Sequence, residues 1–164
     1  MEQFLCNVPK IIFGRDKLDD LAALSVDYGK KAFLALDPFL EVSGLKDRIL
    51  AILSKAGIET TVFTEIKPNP DCFDVDKAGA IAKKEKCELV IAVGGGSALD
   101  FGKGVAVVAG NDGPSWRFTR RKDHTPLIPG PGTLPVIAVP TTAGTGSETT
   151  HFSVLSNPEL KEKS

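Results

Sequence analysis

The chain has 164 residues, 42% of them hydrophobic and 25% charged, which fits one domain with a single core and excludes a disordered or fibrous chain. With 20 basic against 21 acidic residues the formal net charge is -1, so no basic field draws nucleic acid or an anionic membrane. No apolar run approaches the ~20 residues of a membrane span, and "MEQFLCNVPK" lacks the basic start and apolar stretch of a signal peptide.

In chain order, Leu18, Leu21 and Ala22 give a first, weak helical repeat. "AFLAL" (32–36) is a short continuous apolar run, as expected of a strand buried on both faces in a parallel sheet. Leu45, Ile49, Ile52, Leu53 and Ala56 then mark one helix face that ends before Gly57. "IETTVF" (58–63) alternates more and is rich in β-branched residues, as strands often are. Ala78, Ile81 and Ala82 sit in a helix predicted from about Phe73 to Lys86. "LVIAV" (89–93) and "LPVIAVP" (134–140) read as two further strands buried on both faces, with a helix beginning at Ser97 and running to about Val108. Strands alternating with helices of this length predict an α/β fold, a mostly parallel sheet flanked by helices.

The Gly-, Pro- and charge-rich segment 110–132 breaks the rhythm and reads as a long excursion, a length usually functional or mobile. Cys6, Cys72 and Cys87 are an odd number without C-x-x-C spacing. They predict three free thiols in a reducing, cytoplasmic setting rather than a disulfide framework or zinc site.

"VIAVGGGSALDFGK" places Gly94, Gly95 and Gly96 between a buried strand and a helix. Without Cβ atoms such a turn lets a ligand approach the backbone, and the unpaired first N–H groups of the helix favour phosphate. A plainer role is also open: Ser97 followed by Asp100 is nearly a capping box, serving only to start the helix. The loop is not the common dinucleotide fingerprint, since position 99 is Leu99, and it is not a P-loop, since Lys103 is followed by Gly104.

"GGGSALD" and the later "PTTAGTGSE" (140–148) together resemble the iron-containing alcohol dehydrogenases. "KIIFG", the "ALD" ending at Asp37 and "KPNPD" (67–71) add to the resemblance, which runs across nearly the whole chain. It implies the Rossmann-like nucleotide-binding domain of the iron-containing alcohol dehydrogenase and dehydroquinate synthase-like fold. Residues 1–164 would then be one dinucleotide-binding α/β domain, without the family's helical metal-binding domain. Family cofactor positions fall on Asp37, Asn69, Gly95, Gly96, Ser97, Asp100, Thr141, Thr142, Thr145, Ser147, Thr150 and Lys163, joined by Gly94 from the glycine turn. The cofactor implied is NAD rather than NADP, because a carboxylate at Asp37 can accept the ribose hydroxyls but repels a 2′-phosphate. Asp37 ahead of Pro38 could instead simply open a turn.

Two departures stand out. The family usually has glycine where this chain has Asp16. Its divalent metal, iron or zinc, is bound by one Asp and three His in the helical domain, positions expected beyond Ser164. His124 is expected to be solvated, and His151 to lie on a strand, packed or facing the cleft, with no ligand spacing between them. The cluster Asp71, Asp74 and Asp76 is expected at a helix N-terminus rather than in a calcium loop.

The leading functional expectation is the NAD-binding part of an enzyme moving a hydride between a primary alcohol and NAD, giving an aldehyde. This chain alone would bind cofactor without catalysis. The expected partner is a small alcohol or aldehyde, with no nucleic acid or membrane and a homo-oligomer left open. The alternatives are a stand-alone nucleotide-binding module without redox activity, or a dehydroquinate synthase-like or glycerol dehydrogenase relative.

Overall fold

A computed structural model describes residues 9–122 and 124–164; Cys6 lies outside them. Four parallel strands, β1 (Lys31–Leu36), β2 (Glu59–Phe63), β3 (Leu89–Gly94) and β4 (Val136–Pro140), stand in the order β2-β1-β3-β4. The helices are α1 (Leu21–Val26), α2 (Leu45–Lys55), α3 (Cys72–Lys84) and α4 (Gly96–Gly110). Successive residues of β1 point to opposite faces and so feed two cores. Phe33 and Ala35 join Val75, Ala78, Phe101 and Val105 of α3 and α4, while Leu34 and Leu36 join Leu21, Ile49 and Leu53 of α1 and α2. A continuous apolar run in a central strand is the sequence trace of this double burial.

The same expectation for 134–140 needs correction. β4 is an edge strand, paired only with β3 among the described residues, and its residues are half-buried with Pro140 exposed. The first helical repeat is split as well: Leu18 lies in a 3-10 turn (Lys17–Asp20) and only Leu21 begins α1. Asp16, ahead of that turn, has φ 60 and ψ 17 and makes no side-chain capping bond. It occupies the left-handed region in which a Cβ is disfavoured, a physical reason for glycine there. Asp16→Gly should therefore stabilise the chain by about 0.5–1 kcal/mol, after discounting glycine's extra unfolded-state freedom. Thermal melting checks it; an unchanged or lower Tm would contradict the strain.

Asp71 caps α3, its Oδ1 accepting from Asp74 N at 2.8 Å, so the acidic cluster does sit at a helix start. Asp76 instead accepts Ser115 N at 2.6 Å and anchors the excursion. There Trp116 is buried, and Gly130 N donates to Asn111 Oδ1 at 2.7 Å, drawing the ends of the loop together. His124 is not solvated as expected. It is half-buried, its Nδ1 accepting from Arg121 Nε at 3.1 Å, because the Arg121 guanidinium is itself held over the Trp116 ring at 5.2 Å.

His151 is not on a strand. It lies exposed in a bend with its ring 4.2 Å from that of Phe152, because the following residues are tied to α4 instead of to the sheet, as described below. The last residues fold back as a short antiparallel pair, β5 (Ser156–Asn157) and β6 (Glu162–Lys163), and Ser156 N donates to Pro70 O at 2.9 Å. Cys72 and Cys87 are free and buried. Burial, aided by the Asp76 and Asp71 charges, pushes the Cys72 thiol up to about 11. Among the described residues no helix is long and apolar enough to cross a membrane.

Candidate functional site

All four strands are parallel, so the loops that follow them emerge along one edge of the sheet. The chain runs from β1 outward to β2, then crosses back to β3 on the other side of β1. That reversal opens a crevice between β1 and β3, the place where open α/β sheets hold ligands. Asp37 leaves β1 on one side of it, and Gly94 ends β3 on the other.

A cleft of about 170 Å³ lies here, lined by Asp37, Phe39, Gly95, Gly96, Ser97 and Thr142 together with Ile66, Lys67 and Pro68. Gly94 has φ +148, and a Cβ on it would stand 2.7 Å from those of Asp37 and Ala98, so only glycine fits between the two strand ends. Gly95 differs. Its backbone (φ -77, ψ -176) is open to any residue, yet a Cβ would reach into the cleft and meet Thr142 Oγ1 at 3.2 Å. A Cβ on Gly96 would meet Thr145 Cβ at 3.4 Å. The two small-residue loops thus face one another across a gap that a side chain would fill. Among the described residues no side chain caps the start of α4, which leaves its first amides and the positive end of a 15-residue helix able to meet an anion.

Asp37 opens the turn that its place ahead of Pro38 suggested, and it also borders the cleft. Its Oδ1 accepts Phe39 N at 3.0 Å, opening a 3-10 turn (Pro38–Ser43), and the carboxylate still lines the cleft. Asn69, in a left-handed conformation at φ 53, joins through its backbone: its N–H donates to Ser97 Oγ at 3.2 Å. Lys163 Nζ donates to Asn69 Oδ1 at 2.7 Å, which brings the far end of the chain to the same corner. Thr141 N donates to Gly94 O at 3.0 Å and fixes where the second loop leaves the sheet.

Asp100 does not complete a capping box with Ser97, because α4 already begins at Gly96 and the Asp100 carboxylate turns to the second loop. It accepts Ser147 Oγ at 2.6 Å, Val154 N at 3.1 Å and Lys103 Nζ at 3.0 Å, and the Asp100 carbonyl accepts Ser153 Oγ at 2.7 Å. Lys103 Nζ also donates to Phe152 O. Asp100 and the buried Ser147 are therefore the pin that holds the Thr-Gly-Ser loop to α4. Thr150 lies apart from the Asp37 cleft. With Ser147, Glu148, Thr149 and His151 it borders a second cavity of about 360 Å³ between α4 and β4.

Five lining residues lie outside the positions read from sequence: Phe39, Ile66, Lys67, Pro68 and Ala98. Lys67 and Pro68 belong to the "KPNPD" block, a signal that could have found them; Phe39 could be sought only as a neighbour of Asp37. The Lys67 ammonium is held by Asp74 at 2.7 Å, with Asp71 at 3.7 Å, and its pKa is raised chiefly by the Asp74 hydrogen bond and charge. Among the described residues no group of three or more His, Cys, Asp or Glu could hold a metal ion.

The chain matches the family described as iron-containing alcohol dehydrogenase over residues 9–164. It is 39% identical over 137 residues to a 1,3-propanediol dehydrogenase of Klebsiella pneumoniae, covering 82% of this chain and 34% of that protein. An archaeal halo-thermophilic alcohol dehydrogenase from a Red Sea brine pool superposes with a TM-score of 0.92 at 37% identity, over 99% of this chain and 42% of the other. A sulfoacetaldehyde reductase from Bifidobacterium kashiwanohense, solved in complex with NAD+, gives a TM-score of 0.82 at 32% identity, over 99% and 43%. The chain thus spans less than half the length of each of these relatives.

Proposed function

The chain belongs to the iron-containing alcohol dehydrogenase family, and on that premise we propose that residues 1–164 form a dinucleotide-binding α/β domain that holds NAD. The observation that carries this reading is the meeting of two unlike loops at one crevice. Gly95, Gly96 and Ser97 border it at the uncapped start of α4, Thr142 borders it after β4, and the Asp37 carboxylate stands beside them. The residues fit the group: backbone amides at the head of α4 suit the pyrophosphate, Asp37 suits the ribose hydroxyls, and the space a Cβ on Gly95 would fill is left open.

Bound NAD would supply the hydride chemistry, exchanging a hydride with a primary alcohol and its aldehyde. The tasks of this chain's own residues are to bind and orient the dinucleotide. A probable NADH-dependent butanol dehydrogenase of Bacillus subtilis is 37% identical over 158 residues, which favours the same cofactor. No metal-holding role is assigned to the residues described here. The 164-residue chain is accordingly expected to bind NAD at one site without oxidising alcohols. Calorimetric titration with NAD+, and absorbance of NADH during incubation with a primary alcohol, test the two halves. Absence of any NAD+ binding heat or affinity would overturn the reading; NADH formation would overturn the division of labour.

A further inference from the structure

We propose that Phe39 is the platform on which the adenine ring of the dinucleotide stacks, at the β2 end of the cleft; this rests on the NAD reading above. The order of the strands fixes the direction. Along the carboxyl edge of the sheet the cleft is bordered by Ile66, Lys67 and Pro68 after β2, Asp37 and Phe39 after β1, Gly95 and Gly96 after β3, and Thr142 after β4. In a nucleotide the ribose lies between phosphate and base. With the pyrophosphate at Gly95 and Gly96 and the ribose hydroxyls at Asp37, the base must continue past β1 toward β2. Waiting there are an aromatic ring, Phe39, and the apolar atoms of Ile66 and Pro68, in place of the glycines and hydroxyls found after β3 and β4.

Phe39 is 81% exposed although it borders a cleft, so its ring has a free face and no partner in the core. The residue is nevertheless fixed at its backbone, since Phe39 N donates to Asp37 Oδ1 at 3.0 Å. One carboxylate therefore sets the position of both the ribose acceptor and the ring. Stacking suits this place because an aromatic face binds any base plane without needing hydrogen-bond partners.

The test uses the whole chain and three variants, with affinities for NAD+ and ADP-ribose measured by calorimetry. Phe39→Ala should weaken both ligands by about tenfold or more, the usual loss when an aromatic under a base is removed. Val42→Ala, which removes another exposed side chain (94%) from the same turn but outside the cleft, should leave both affinities unchanged. Phe39→Trp should keep the affinity, and ADP-ribose should quench the emission that this indole adds to that of the buried Trp116. Unchanged affinity in Phe39→Ala would overturn the proposal, as would an unquenched tryptophan at position 39. Failure of the unsubstituted chain to bind NAD+ would instead overturn the functional reading beneath it.

Discussion

Gly95→Val should abolish NAD+ binding while leaving the fold intact. Gly95 has ordinary extended backbone angles, so valine meets no conformational barrier. Its Cβ would meet Thr142 Oγ1 at 3.2 Å, and Thr142 is exposed enough to turn away. The two valine methyls would then occupy the space between the loops, over the first amides of α4. A charge-assisted hydrogen bond contributes about 1.5–3 kcal/mol, so displacing a pyrophosphate from two such donors should weaken binding more than a hundredfold. Circular dichroism should be near native, and Tm within a few degrees, as usual for substitutions outside a core. If the loop serves only to turn the chain, the variant will lose stability and keep its affinity. That pattern, measured by melting and titration on one sample, would refute the site.

Asp37→Asn should erase most of a tenfold to hundredfold preference for NAD+ over NADP+. A 2′-phosphate set against the Asp37 carboxylate loses on the order of 1–3 kcal/mol, which is where the preference arises. Asparagine is the informative substitution because Asp37 Oδ1 also accepts Phe39 N, and the amide oxygen can keep that turn while the charge is removed. Lys67 borders the same cleft but is held by Asp74, so it offers the 2′-phosphate little compensation. The preference should also shrink with added salt, as a contact between partly exposed charges does. Equal affinities for the two cofactors in the unsubstituted chain would remove the basis of the prediction.

How far the sequence can be read depends on how local each determinant is. The apolar runs at 32–36 and 89–93 are long enough to mark strands and continuous enough to mark double burial, and β1 and β3 prove central. "LPVIAVP" has the same character but becomes the edge, since the place of a strand in a sheet depends on partners that its own residues do not name. Gly57 and Asp71 mark helix ends because termination and capping involve residues close in sequence. Ser97 and Asp100 have the spacing of a capping box, yet Ser147, Ser153 and Val154, about fifty positions away, decide the use of Asp100. His124 and Arg121 are near neighbours, but the buried Trp116 that places the arginine belongs to the tertiary fold. In the cleft, the motif residues Asp37, Gly95, Gly96, Ser97 and Thr142 were legible; Phe39 and Ile66 were not, because a hydrophobic residue carries no local sign of facing a cleft rather than a core.

The pin at Asp100 also has a consequence for speed. A loop as rich in glycine as 140–148 would ordinarily sample many shapes, and a ligand would have to wait for, and select, the right one. Here the carboxylate, with its side chain only 16% exposed, fastens Ser147 and Val154 to α4 by bonds the chain makes with itself. The entropy lost in ordering that loop is charged to folding instead of to binding, so an incoming dinucleotide finds a prepared surface. Association through such a surface should be a single step, its rate rising in proportion to nucleotide concentration without a plateau. Tightness is then governed by how slowly the ligand leaves.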